Sequence, residues 1–133
     1  MAVQYLESVR NAQLDSIETT ISTAPTLTIW SGAQPATCAT ANSGTLLVSM
    51  TLPTDWMAAA SGGSKAKAGT WEDTSADATG TAGHFRIHQT TTCFIQGSVT
   101  ATAGGGDIEL DNTSIASGQQ VTISTFVISA GNA

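Results

Sequence analysis

The chain has 133 residues, the size of one domain, with 41% hydrophobic and only 11% charged residues. Four basic side chains against ten acidic ones give a net charge of −6, which argues against a basic face for nucleic-acid phosphates. No apolar run approaches the ~18 residues that cross a bilayer, and Met1–Arg10 carries Glu7 without an apolar stretch, so no signal peptide is read and the chain is expected to mature in the cytoplasm that makes it.

Residues 2–22 are predicted to form a helix. Val3, Leu6, Val9, Leu14, Ile17 and Ile21 recur near a 3.6-residue period, while Glu7, Arg10, Gln13, Asp15 and Glu18 fall mostly on the other faces. So narrow a stripe must pack on something, either the chain's own sheet or a neighbouring subunit. Ser22–Pro25 ends the helix, because the residue before a proline disfavours helical backbone.

Short strands follow. Thr26–Trp30 alternates, with Leu27 and Ile29 on one face. Residues 31–43 read as a loop and 44–52 as a strand with Leu46, Val48, Met50 and Leu52 inward. Pro53–Ala60 suggests a helical turn with Thr54 as its N-cap, 61–67 a flexible loop, and 69–72 a short strand. Residues 83–89, with Phe85 and Ile87 apolar, and 92–101 suggest a hairpin. Gly104–Gly106 turns, 107–111 is a strand with Ile108 and Leu110 inward, and 111–114 turns again. In the last strand, 119–129, Val121 and Ile123 are out of phase with Phe126 and Ile128, which a bulge near Ser124–Thr125 would reconcile. About seven short strands behind one helix predict a mainly β protein, a sandwich or small barrel, with the helix in residues 1–24 and the β-sandwich domain in 25–133.

Several residue patterns hint at chemistry. Cys38 and Cys93 lie far apart in Thr-rich stretches without the short-range partner of a redox or zinc motif, and cysteines of a cytosolic chain are expected to be free rather than bonded. His84 and His88 have metal-like spacing, but on a strand four residues span about 13 Å, so together with Arg86 they read as a polar strand face. Ser64–Lys67 matches S-x-x-K without the accompanying motifs of the enzymes that use it, and reads as a solvated loop. Asp107, Glu109 and Asp111 alternate on one side of a strand, a candidate Ca²⁺ site set against a solvated face or subunit contact. Trp30, Trp56 and Trp71 suit a core. Trp56, after Pro53 and before an alanine run, is the tryptophan best placed for an interface, joining Leu6, Leu14, Ile17 and Ile21 of the helix as interface candidates. Asn112–Ser114 is a glycosylation sequon, meaningful only on a secretory route. No nucleophile elbow, phosphate loop or dinucleotide fingerprint occurs, and neither an enzyme nor a cofactor is expected.

Longer segments carry a resemblance: Leu27–Ala36 (LTIWSGAQPA), Gly44–Pro53 (GTLLVSMTLP), Ala78–Ile87 (ATGTAGHFRI) and Leu110–Gln119 (LDNTSIASGQ). Together they resemble small virion-associated structural proteins of tailed bacteriophages. The resemblance covers most of the chain after the helix and brings no catalytic residues with it. By analogy with jelly-roll cement proteins, it implies a capsid decoration protein that binds the expanded head shell. Its partners would be the major capsid protein or other virion proteins, and its form a homo-oligomer, dimer or trimer. A tail, neck or baseplate component and a carbohydrate- or receptor-binding module are the alternatives.

Overall fold

The computed structural model describes residues 3–131; residues 1 and 2 of the expected N-terminal segment lie outside that range. Among the described residues the chain is mainly β, with one helix, α1 (Glu7–Ile21), and ten short strands. These are β1 (Thr26–Ser31), β2 (Leu46–Thr51), β3 (Ser64–Ala66), β4 (Trp71–Asp73) and β5 (Gly80–Gln89), then β6 (Thr92–Ala101), β7 (Ile108–Leu110), β8 (Ser114–Ile115), β9 (Val121–Ile123) and β10 (Val127–Ser129). The main sheet runs β2-β1-β5-β6-β7, with β8 added to β5. All its pairings are antiparallel except β6 with β7, which is parallel. Two ribbons, β3 with β10 and β4 with β9, complete the fold.

The alternation of Leu27 and Ile29 on β1 and of Phe85 and Ile87 on β5 produces the packed face. Leu27 pairs with Ile87 and Ile29 with Phe85, and all four are essentially without exposure. Cross-strand apolar pairs of this kind are the unit of sheet stability. The ribbons close over this face through aromatics. Trp71 on β4 lies 6.1 Å from Trp56 and 5.5 Å from Phe126, and Phe126 meets Phe85 edge-on at 5.7 Å.

Phe126 explains the phase change in the last segment. The chain does not bulge at 124–125 and continue; it leaves β4, drops Phe126 into the core and joins β3 as β10. Two further expectations fail nearby. Residues 53–60 form no helical turn, since Ala58 N–H donates to the Ala66 carbonyl and Met57 bridges Lys67 in extended backbone. The expected flexible loop 61–67 contains β3, fixed from one side by β10 and from the other by the helix.

The helix begins at Glu7 rather than at residue 2, with Leu6 as an N-cap that supplies no side-chain bond. Its lower half covers its own domain: Leu14 and Ile21 are 3% exposed, and Ile17 packs against the core. The polar side also docks. Glu7, Asn11 and Asp15 recur every four residues, so their side chains line one ridge. Glu7 Oε1 accepts from Gly62 N, Asn11 Oδ1 from Gly63 N and Asp15 Oδ1 from Ala60 N, at 2.9–3.0 Å.

Lys65 completes that contact. It is 2% exposed and donates to Asp15 Oδ1 (2.7 Å), Glu18 Oε2 (2.9 Å) and the Ala58 carbonyl (2.8 Å). The expectation of a solvated Ser64–Lys67 loop is thereby corrected at Lys65. The lysine hydrogen bond is the main reason the Asp15 carboxyl sits below its usual value. Burial works against the Lys65 ammonium, but the Asp15 and Glu18 carboxylates outweigh it and hold its pKa above the ordinary lysine range.

Candidate functional site

The outward face of the main sheet is where the polar residues converge. On β1 it presents Thr28 and Trp30; on β5 the partners of these residues are Arg86 and His84, and on β6 Gln96 stands opposite Arg86. A strand face of this composition would ordinarily be solvated, yet His84 is fully buried and Arg86 only 6% exposed. The cover is the 32–45 segment between β1 and β2, which folds back over the sheet as a flap.

Each contact of the flap is specific. His84 Nδ1 faces the Gly32 carbonyl and Nε2 the Asn42 side-chain oxygen, both at 3.1 Å. Gln96 Nε2 donates to Pro35 O at 2.8 Å. Arg86 Nη2 donates to Thr40 O (2.7 Å), Gln96 Oε1 (3.0 Å) and Thr37 O (3.2 Å). Gly83 permits the close start of the flap, because a Cβ there would run into the Gly32 backbone oxygen. Gly44, at φ +87°, permits its return: Thr45 N–H donates to Ser31 Oγ at 2.8 Å and Ser31 N–H to the Thr45 carbonyl.

A disulfide clips the flap down. Cys38 and Cys93 are bonded, with Cα atoms 5.3 Å apart across 55 residues of sequence. This corrects the expectation of free cysteines. The residues that bring the two together are Arg86 and Gln96, whose bonds to the carbonyls of residues 35, 37 and 40 lay Cys38 against the β5–β6 hairpin.

At the flap's edge lies a cavity of about 260 Å³, lined in part by Trp30, Asn42, Arg86 and His88. Comparison with protein-family models, with curated proteins and with solved structures finds no match for the chain. The geometry therefore stands by itself.

The other residues singled out in the sequence do not assemble into a site. His88 bonds its own turn through Nδ1 and Thr90 O (2.9 Å), while His84 faces the flap. Ser64 Oγ meets Ser129 Oγ, and Lys67 Nζ bonds Gly69 O and lies over the Trp71 ring, so serine and lysine are not paired. Among the described residues no group of three metal-ligating side chains converges. Asp107 Oδ2 accepts from Ser98 N and Oγ, Glu109 accepts from Ala103 N and Gly105 N, and Asp111 lines a groove on the β9 side with Glu109. The first two carboxylates stabilise the β6–β7 turn and do not share a point in space.

Of the interface candidates, Trp56 is fully buried and donates its indole N–H to Ser22 O at 3.0 Å, anchoring the end of α1. Leu14 and Ile21 are buried in the chain's own fold, and Ile17 is half-buried. Leu6 alone stands out, at 75% exposure, flanked by exposed Val3 and Val9.

Proposed function

We propose that the chain is a non-enzymatic structural protein of a bacteriophage virion, a capsid decoration protein that binds the expanded head shell and stabilises it. The observation that carries this reading is the division of the helix. Its lower half packs in cis through Leu14, Ile17 and Ile21, whereas Val9 in its first turn, and Leu6 and Val3 ahead of it, stay exposed. Large apolar side chains grouped at one end of a low-charge domain suit a protein partner. The resemblance of four segments to phage virion proteins supplies the class of partner. In this reading the curled sheets form a jelly-roll-like sandwich, one that tolerates the parallel β6–β7 pair, and the chain assembles as a dimer or trimer. Binding only the expanded lattice would stabilise it by mass action.

Copy number per purified virion, measured by quantitative mass spectrometry against the major capsid protein, tests the reading. The expected ratio is one copy per one or a few capsid subunits. A count of about six or twelve would point instead to a ring in the neck, tail or baseplate, and absence from the particle would end both.

A further inference from the structure

We infer that the cavity at the flap edge binds a sugar acid, its carboxylate against the Arg86 guanidinium and its ring face on the Trp30 indole. Arg86 is the first reason. It is 94% buried, yet among the described residues both ion pairs belong to Lys65, so this charge has no carboxylate partner. Its three hydrogen bonds all leave from Nη2 to neutral oxygens, and its Nε is buried out of reach, which leaves Nη1 as the nitrogen a ligand would meet. Neutral acceptors need only a neutral donor. A full charge kept out of water at an energetic cost calls for an anion, and a carboxylate would accept a charge-assisted bond from Nη1.

Trp30 supplies the second reason. Trp56 and Trp71 are fully buried, while Trp30 stays partly exposed and lines the cavity. Its N–H is already satisfied by Thr28 Oγ1 at 2.9 Å, which leaves the ring as an apolar surface. A small inorganic anion would use Arg86 and leave that surface bare; the C–H face of a pyranose would cover it. Asn42, Thr90 and Thr91 on the remaining wall offer amide and hydroxyl groups to sugar hydroxyls. His88 joins them through Nε2, since its Nδ1 is engaged with Thr90 O. At about 260 Å³ the cavity is too small to enclose a long oligosaccharide.

This inference is independent of the virion reading, because it uses the opposite features of the surface and is tested on the isolated chain. The experiment is an amide ¹H–¹⁵N titration of the full, oxidised protein with glucuronate, glucose and inorganic phosphate. Glucuronate is expected to give saturable shifts centred on residues 28–30, 40–42 and 86–93, with affinity in the millimolar range typical of single sugars. Glucose, lacking the carboxylate, is expected to bind at least ~10-fold more weakly. Trp30→Ala, which removes the ring without touching the flap's anchors, should weaken glucuronate by about 10-fold, and Arg86→Gln should abolish the preference over glucose. If Arg86→Gln releases the flap, the Trp30→Ala and glucose comparisons still decide. No saturable shift with glucuronate overturns the proposal. So does equal binding of glucose, which would leave the Arg86 charge unused, or equal binding of phosphate, which would leave Trp30 unused.

Discussion

Removing the Cys38–Cys93 bond is the perturbation with the largest effect that can be worked from the structure. The bond closes a loop with a sequence separation of 55 residues. In the chain-entropy treatment, opening such a loop in the unfolded state costs the folded state about 4 kcal/mol at 25 °C. A small domain has only about 5–15 kcal/mol in total, so the loss is severe without abolishing folding at the upper end. With a urea slope of about 2 kcal/mol/M, Cys38→Ser with Cys93→Ser should move the unfolding midpoint down by about 2 M relative to the oxidised chain. The oxidised chain with added reductant should match the double variant. Amides of the flap should lose hydrogen-exchange protection before those of β1 and β5, because the flap is held mainly by side-chain bonds from His84, Arg86 and Gln96 rather than by a backbone ladder. Coincident midpoints for oxidised and double-variant protein would refute the reasoning, as would two reactive thiols in the folded, unreduced chain.

Lys65→Met, which removes the ammonium from Asp15, Glu18 and the Ala58 carbonyl, should destabilise the fold, read as a drop in urea midpoint; an unchanged or raised midpoint would contradict it. The same contact sets a pH dependence. Asp15, held below its usual 3.8, contributes stability present above that value and lost as pH falls through its lower folded value. Lys65, held above 10.5, contributes stability present below 10.5 and lost as pH rises through its higher folded value. The alkaline decline of the midpoint should therefore be shallower in Lys65→Met than in the parent, and equal slopes would refute the assignment. Trp71→Ala, at the centre of the aromatic chain, should cost about 4 kcal/mol in a denaturation curve, and a loss below about 1 kcal/mol would show that the ring is not packed as described. Leu6→Ser with Val9→Ser should leave stability within about 0.5 kcal/mol and reduce incorporation into particles; normal incorporation would remove the exposed helix end from the docking surface.

What the sequence revealed followed from whether a residue's partner lay nearby in the pattern. The alternation in β1, β5 and β6 predicted those strands within a few residues, because apolar residues for the core face alternate with polar ones in the sequence itself. β3 was hidden because Ser64–Ala66 has no apolar alternation; its stability comes from β10 and from a helix over 40 residues earlier. The docking of the helix's polar face was not legible for a related reason. Glu7, Asn11, Asp15 and Glu18 signal solvent on a hydropathy criterion, and only their spacing of three and four hints at a docking ridge. For the candidate site, His84 and Arg86 were correctly placed on a polar strand face, but nothing local announces that a Thr- and Ala-rich loop will cover them. The signal available was indirect: a positive strand face and a cysteine in the same hairpin, with the second cysteine in the one long loop that could reach it.

The bond from Arg10 Nη1 to Ala130 O, 120 residues apart, and that from Ala130 N to Gly63 O join the beginning, middle and end of the chain on one side of the fold. On a ribosome, α1 is made well before β10, and its dock is incomplete until β10 has emerged and paired with β3. Until then Leu14, Ile17 and Ile21 have no finished surface to cover, and the helix is too short to hold itself together in water. A dock assembled from residues this far apart in sequence forms through distant pairings, which are intrinsically slower than local ones. During that interval its apolar stripe lacks its cover, which exposes the nascent chain to association with neighbouring copies.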